Sequence, residues 1–353
     1  MTSMKRVTVD AASLTYEVLI EKGILGNAGS LIREITSAPT AVVVSETNVF
    51  PLYGEKLVSS LEKEGFNVIT FVFPAGEQSK STATLVELWE FLARNHITRK
   101  DILIALGGGV TGDLTGFCAA TFLRGIKYVG IPTTLLSMVD SSVGGKTAVD
   151  LKAGKNLAGA FYQPSLVIID TDTLSSLPAN IFNDGMAEVI KYGMINKPDF
   201  LSELKNGTDI ENITEACVTA KRDIVALDER DTGIRGLLNF GHTPAHSIEL
   251  MSDFTISHGS AVAIGMMIMT KASVKAGLCD AEALDILSEL LEKYSLPRDT
   301  GFTPAEIAEN ALNDKKRAGG EITLVIPEKA GHCILKKFPV ADLENFISGA
   351  WDK

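Results

Sequence analysis

The sequence predicts an α/β fold followed by a mainly helical one: an N-terminal Rossmann-like parallel-sheet domain and a C-terminal mainly helical domain. Three observations carry this. Short apolar, β-rich runs alternate with amphipathic stretches through the first half, the pattern of βαβ units and a parallel sheet. A glycine cluster, Gly107, Gly108, Gly109 and Gly112, follows one of those runs directly and opens a plausible helix. Beyond residue 175 the strand-like runs nearly cease. A chain of 353 residues is long for one core, so two domains are expected, 1–175 and 176–353.

In chain order, "RVTVD" and "YEVLIEKGIL" read as a leading hairpin. Strands are expected at "AVVVS", "NVITFVF", "DILIAL", "YVGIP" and "LVIID", with helices such as "FPLYGEKLVSSLEKEG" and "STATLVELWEFLARN" between them. Helices then follow at "LPANIFNDGMAEVIKYGMI", "ITEACVTAKRDIVALDE", "GLLNFGHTPAHSIELM", "HGSAVAIGMMIMTKASVKAG" and "DAEALDILSELLEKY". A late pair, "EITLVIPE" and "HCILKKF", predicts a small ribbon.

Composition narrows the function classes. Apolar residues make up 45% and charged residues 22%, a soluble globular balance. The 33 basic against 44 acidic side chains leave a net charge of −11, which argues against a broad nucleic-acid or anionic-membrane surface. The apolar run "AVAIGMMIM" is far short of the ~20 residues a membrane span needs. "MTSMKRVTVDAAS" lacks the apolar stretch of a secretory signal. Cys118, Cys217, Cys279 and Cys333 are scattered with no CxxC spacing, as in a reducing cytosol. A cytoplasmic protein is expected.

Gly107, Gly109 and Gly112 satisfy G-x-G-x-x-G between a strand and a helix. Glycines let backbone approach a pyrophosphate, and the helix start offers free N–H groups to its charge. Dinucleotide binding follows, although a tight turn alone would use the same residues. The acid that normally holds the ribose ~20 residues downstream is missing; Lys127 stands there instead. Glu46 and Asn48, after an earlier strand, are the candidates for the ribose.

Three of the five histidines, His242, His246 and His258, fall within "NFGHTPAHSIELMSDFTISHGS". His242 and His246 share a helical face, and His258 can fold back from the next helix, a geometry suited to a catalytic metal. Two partly buried histidines bonded to backbone would explain the H-x3-H pair equally well. In "GMAEVIKYGMI", Glu188 and Lys191 share one face of an otherwise apolar helix; a buried acid needs a partner, and a metal or a lysine supplies one. "VDSSVGGKTAVDLKAGKNLAGAFYQP" strings Asp140, Lys146, Lys152, Lys155 and Asn156 among glycines, a flexible segment able to close over an acidic ligand. Lys221, Arg235, Asn239, Lys315 and Lys316 add further polar candidates. Singly each reads as solvated surface; together, in an acidic protein, they suggest an anion pocket.

The stretches "GGGVTGD", "IPTTLLSMVDSSVGGKTAVD", "GKNLAGAFYQP", "GMAEVIKYG", "RGLLNFGHTPAHSIE" and "HGSAVAIGM" together resemble the 3-dehydroquinate synthases of the shikimate pathway. The resemblance spans residues 40 to 320 with its motifs in order. It implies metal ligands at Glu188, His242 and His258, with zinc or cobalt bound, and moves His246 to the substrate. It implies substrate contacts at Asp140, Lys146, Asn156, Lys191, Lys221, Arg235, Asn239, His246 and one of Lys315 and Lys316. Arg124 matches an arginine lent to the neighbouring subunit of a homodimer. For NAD it implies Glu77, Lys80, Gly109, Val110, Thr111, Gly112, Asp113, Thr133, Thr134, Lys155, and Thr173, Leu174, Ser175 and Ser176, with Lys146 also beside the cofactor. Where the family pattern reads GGKTGVN, this chain has Ala148 and Asp150.

The implied reaction turns 3-deoxy-D-arabino-heptulosonate 7-phosphate into 3-dehydroquinate and phosphate, a step towards chorismate and aromatic amino acids. NAD removes and later returns a hydride, phosphate leaves by elimination, and an aldol step closes the ring. Lys146, Asn156 and His246 would take the phosphate, and Lys221 with Arg235 the carboxylate. Three rivals share some of these features. A metal-dependent polyol dehydrogenase would leave the lysines of "GGKT" and "GKN" idle. A related sugar-phosphate cyclase would not need Lys221 and Arg235. A catalytically dead NAD-binding protein would have lost Glu188 or His258.

Overall fold

The computed structural model describes residues 4–313 and 320–351, which form two compact units: Met1–Pro178 with Ile210–Arg230, and Ala179–Asp209 with Asp231–Lys353.

The first unit opens with the expected hairpin, β1 (Lys5–Asp10) and β2 (Thr15–Ile20), then α1 (Ala28–Ile35). Next come β3 (Thr40–Glu46), α2 (Glu55–Lys63), β4 (Asn67–Phe73), α3 (Thr82–Arg94), β5 (Ile102–Gly107), α4 (Gly109–Thr121) and β6 (Lys127–Pro132). The hairpin β7 (Lys146–Leu151) and β8 (Gly154–Phe161) precedes β9 (Leu166–Ile169). The main sheet runs β1-β2-β9-β6-β5-β3-β4, parallel except for β1 against β2. Every residue of β5 and β9 is buried, as a sheet covered on both faces requires. Val43 and Ile104 face α1 and α2 with Ile32, Leu57 and Leu61. Val42, Val44 and Leu103 face α3 and α4 with Leu88 and Leu114. Each such fully buried aliphatic side chain contributes about 1.5–3 kcal/mol.

Strand order reverses between β3 and β5, since β4 lies beyond one and β6 beyond the other. In open α/β sheets the ligand crevice sits at such a reversal, outside the carboxyl ends of the strands. Glu46 ends β3 and Gly107 ends β5. Glu46, the acid that ends the strand next to β5, thus comes from a strand that precedes the glycine loop in sequence.

The glycine-rich stretch around Lys146, expected to be flexible, is instead the antiparallel hairpin β7–β8. Ala148 pairs with Gly159, where a Cβ would lie 2.2 Å from the Thr147 carbonyl oxygen and 2.8 Å from Ala148 Cβ. The methyl of Ala148 thus takes up the space that Gly159 leaves.

The chain continues into α5 (Ala179–Asn196) and α6 (Pro198–Asn206) of the second unit, then α7 (Ile210–Leu227) of the first. Sequence reading placed all of 176–353 in one domain. Helix α7 instead belongs with the sheet unit: it buries Ile213, Cys217, Val218, Ile224 and Val225, while Lys5 Nζ reaches Glu215 at 2.5 Å and Thr171 Oγ1 donates to Glu211 at 2.8 Å. The second unit resumes with α8 (His242–Met251), α9 (His258–Lys275), α10 (Ala281–Lys293), α11 (Pro304–Asn313), the ribbon β10 (Glu321–Lys329) and β11 (His332–Pro339), and α12 (Leu343–Ser348). Ten consecutive residues of α5, Met186 to Ile195, are buried, the mark of a helix surrounded on all sides.

Close backbone contacts set α8 and α9. Gly241 takes a left-handed φ of 79° just before α8, a conformation costly for other residues. Pro244 sits in the first turn, where its missing N–H costs nothing. A Cβ on Gly265 of α9 would lie 2.0 Å from the Gly241 carbonyl oxygen. The obstacle is backbone, which cannot rotate away. Gly265→Ala is expected to separate α8 from α9 and cost about 1–3 kcal/mol; urea unfolding with an unchanged midpoint would contradict this packing.

Candidate active site

Asp184 and Glu188 lie one turn apart on α5. Asp184 Oδ1 accepts from Ser257 Oγ at 2.6 Å and from the Ser260 N–H at 3.1 Å, capping the start of α9. Gly259 permits the contact, since a Cβ there would meet the Asp184 carbonyl oxygen at 2.2 Å. The cap sets His258, at the first position of α9, beside Glu188. His242 opens α8 and faces the same carboxylate. His258 Nε2 lies 3.4 Å and His242 Nε2 3.7 Å from Glu188 Oε1. Among the described residues these three form the one group of His, Cys, Asp and Glu whose ligand atoms all lie within 4.8 Å of one another. Ligands about 2.1 Å from a tetrahedral ion stand roughly 3.4 Å apart, so the donor set fits a divalent ion. Two imidazoles and one carboxylate suit zinc or cobalt, with a position left for another ligand.

Glu188 is fully buried and also pairs with Lys191, three residues on. Burial, with the Lys191 charge, pushes His242 down to about 3, so its imidazole is neutral. Burial would lower His258 too, but Glu188 and Glu249 outweigh it and raise that imidazole to about 10. Two neighbouring histidines thus have opposite tendencies because one faces two carboxylates.

His246, read from spacing as a possible third ligand, lies outside the cluster; Glu188 takes that place. Its ring centroid is 5.6 Å from that of His242, and the side chain is exposed. Arg235 is buried and Asn239 exposed on the 3-10 turn Ile234–Asn239 before α8. Lys315 and Lys316 lie outside the described residues.

In the first unit, α4 begins at Gly109 with no side-chain cap on its N-terminus, the geometry that receives an anion. A Cβ on Gly112 would meet nothing within 4 Å. Gly107, Gly108, Gly112, Asp113, Ser141 and Lys146 also line a small cavity beside this loop, together with apolar residues such as Ala105, Tyr128 and Ile131. Val110 is half-buried and Thr111 buried in the first turn of α4. Thr133 donates its N–H to the Gly107 carbonyl at 3.0 Å. Thr134 and Ser137 hydroxyls lie 2.8 Å apart. Glu46 accepts from the N–H groups of Asn48 at 2.6 Å and Val49 at 3.0 Å, so this acid also closes the turn after β3. Thr173, Leu174, Ser175 and Ser176 form a 3-10 turn, where Tyr53 Oη bonds the Thr173 carbonyl at 3.0 Å and lies 2.5 Å from Ser176 Oγ. Glu77 and Lys155 are exposed.

Lys80 is the junction of this half. Its Nζ lies 2.6 Å from Asp113 Oδ2 on α4 and donates to Asn156 Oδ1 on β8, while its carbonyl accepts from the Asp150 N–H at 2.8 Å. Asp150 Oδ1 accepts the Asn156 N–H at 2.8 Å, holding that residue at a left-handed φ of 57°. Burial alone would depress Lys80, but Asp113 and further carboxylates outweigh it and hold the ammonium above its usual range. Lys221 of α7 is likewise buried and donates to both Asp140 Oδ1 and the Asp140 carbonyl, each at 2.6 Å. Arg124 is exposed on a strained turn, with Leu123 at φ 50° and Arg124 at φ 66°. Arg99 braces it by donating to the Leu123 carbonyl at 2.7 Å.

Sequence reasoning missed Asp184 and Glu249. Asp184 stands four residues before Glu188, and Glu249 seven after His242, both on the site-facing helical face; those spacings were the available signals.

Family models described as 3-dehydroquinate synthase N-terminal and C-terminal match residues 70–184 and 185–317. The 3-dehydroquinate synthase of Clostridium kluyveri is 42% identical over 353 residues, covering 98% of both chains. That of Microcystis aeruginosa is 41% identical over 341 residues, covering 92% of both. Among solved structures, 2-deoxy-scyllo-inosose synthase complexed with carbaglucose-6-phosphate, NAD+ and Co2+ superimposes with a TM-score of 0.88 at 24% identity, covering 98% of this chain and 99% of that one. The 2-epi-5-epi-valiolone synthase of Streptomyces hygroscopicus, with NAD+ and Zn2+ bound, gives 0.86 at 24% identity, covering 99% of both. These two likenesses show the fold: a sheet unit carrying a glycine loop and a helical unit.

Removing Lys80 leaves Asp113 partly buried without its cation. Lys80→Met is expected to cost about 3–5 kcal/mol in urea unfolding, and adding Asp113→Asn to restore part of it. A loss below ~1 kcal/mol for the single variant would show that the pair is not a structural junction.

Proposed function

The chain belongs to the 3-dehydroquinate synthase family, and from that premise we propose that it converts 3-deoxy-D-arabino-heptulosonate 7-phosphate to 3-dehydroquinate and phosphate. Within the molecule, the observation that carries this reading is the buried Glu188 faced by Nε2 of both His242 and His258. Glu188, His242 and His258 would hold a zinc- or cobalt-class ion, and the Gly109–Asp113 loop, with Lys80, Thr133 and Thr134, would hold NAD. When bound, the ion supplies a Lewis acid towards a ring hydroxyl and NAD a hydride acceptor that is regenerated within each turnover.

The remaining groups bind and orient. Neutral His242 and negative Glu188 meet the electronic demand of a cation, and Lys191 offsets the carboxylate charge before the cation arrives. Lys146, Asn156 and His246 are assigned to the phosphate. Asn156 is held for that task by Asp150 and Lys80, which lowers the entropy lost on binding. Arg235, with its planar fork, is assigned with Lys221 to the carboxylate. Asp140 restrains Lys221 through two contacts and so fixes where its charge stands. Asn239 is assigned to the substrate, and Glu46 with Asn48 to the NAD ribose.

With trace NAD and zinc, purified protein is expected to release phosphate and form 3-dehydroquinate with no net NADH, and to stop on chelation. Glu188→Gln is expected to abolish release. Net NADH from a simple polyol without phosphate release would instead make the protein a dehydrogenase.

We further place this activity in aromatic amino acid biosynthesis in the cytoplasm and assign a homodimer in which Arg124 serves the partner's site. The exposed, braced left-handed turn that presents Arg124 supports that role, because such strain persists where a function holds it. Sedimentation at twice the chain mass, with Arg124→Ala keeping that mass but losing turnover, is the expected result. A fully active monomer would refute it.

A further inference from the structure

Glu249 has no place in the assignments above, yet it occupies a position that is costly to fill with a charge. It lies two turns beyond His242 on α8, between the fully buried Ile248 and the helix end, and is 7% exposed. Its own carbonyl accepts the Phe254 N–H at 2.8 Å, which pins its backbone. Its Oε1 lies 3.5 Å from Nδ1 of His258. The opposite nitrogen of the same ring, Nε2, lies 3.4 Å from Glu188. The imidazole is therefore flanked by two buried carboxylates, one at each nitrogen, and only Glu188 belongs to the candidate ligand cluster.

His242 shows the same arrangement with a different acceptor. Its Nδ1 lies 3.1 Å from the Phe240 carbonyl and its Nε2 faces Glu188. Each ligand histidine thus turns Nε2 inward and Nδ1 towards an acceptor. For His242 the acceptor is backbone two residues away. His258 opens a different helix, so its acceptor has to come from another element, and α8 supplies it. A ligating histidine needs its second nitrogen fixed in this way, because that bond selects the tautomer and the ring orientation.

We propose that Glu249 is a positioning residue for metal binding: it accepts the Nδ1–H of His258, so that when an ion displaces the proton on Nε2 the freed lone pair already points into the site. This rests on the metal site proposed above and adds to it the side chain that orients one ligand. The ligand chemistry is that of a divalent zinc-class cation.

The test is Zn2+ affinity by chelator competition on the full-length protein, together with the visible spectrum of the Co2+-loaded form. Glu249→Met, which keeps the volume but has no strong acceptor, is expected to weaken Zn2+ binding about 10–100-fold and shift the Co2+ bands. Glu249→Gln keeps an acceptor oxygen and is expected to retain most of the affinity. Glu249→Ala should regain affinity on addition of formate, which can occupy the vacated space, and this rescue serves if the Met variant does not fold. Ser247→Ala removes a buried hydrogen bond from α8 to the Ile307 carbonyl, and is expected to lower the unfolding midpoint but leave Zn2+ affinity alone.

A Glu249→Met protein binding Zn2+ within about twofold of wild type would overturn the proposal, since removing a second-nitrogen partner costs more than that. So would an equal loss in Ser247→Ala, or a Glu249→Ala protein indifferent to formate. Wild-type protein that binds neither Zn2+ nor Co2+ would overturn the metal reading itself.

Discussion

A fully buried carboxylate is the constraint on which the helical unit depends. An ionised acid removed from water is tolerated only when it is paired or coordinated, and Glu188 is fully buried in a helix that is apolar around it. Lys191 on the same helix, His242 on α8 and His258 on α9 converge on it. Their convergence requires helix backbones closer than ordinary side chains permit, which is why Gly259 lies against Asp184 and Gly265 against Gly241. These glycines contribute no chemistry themselves; they set the distances at which three side chains can share one cation.

The sheet unit obeys a different constraint, the topology of a parallel sheet. A crevice forms where strand order reverses, and here it reverses between β3 and β5. The glycine loop and Glu46 therefore become neighbours although more than 50 residues of chain separate them. The central strands β3, β5 and β9 are buried on both faces, which leaves the polar work to the loops at the strand ends.

Local chemistry then ties the loops together. Lys80 bridges α4 and the β7–β8 hairpin, and Asp150, a departure from the family pattern, bonds the backbone of Asn156. Asparagine at position 150 could offer the same acceptor oxygen, so the aspartate keeps the contact and adds a charge near Lys80. Ala148 is accommodated by its cross-strand partner Gly159. Both departures fit a hairpin that is paired along its length, in place of a loose loop.

Periodicity alone determined most of the architecture. The leading hairpin, the parallel strands and the run of helices follow from apolar spacing, because a strand and a helix bury their faces at different periods. The G-x-G-x-x-G loop was legible because its glycines act through local backbone geometry. Spacing brought out His242, His246 and His258 together, but it could not separate ligand from neighbour; the family motifs named Glu188, and the packing of α5 against α8 and α9 supplied the geometric reason. The same holds for Glu249 and Asp184, whose partners sit on other helices, and for α7, whose partners include Lys5, Thr171 and Asp140. Short-range pattern reports which face of an element is apolar. Which buried charge meets which partner is settled only when separate elements pack, since a Coulomb or hydrogen-bond contact depends on ångström distances that sequence separation does not encode.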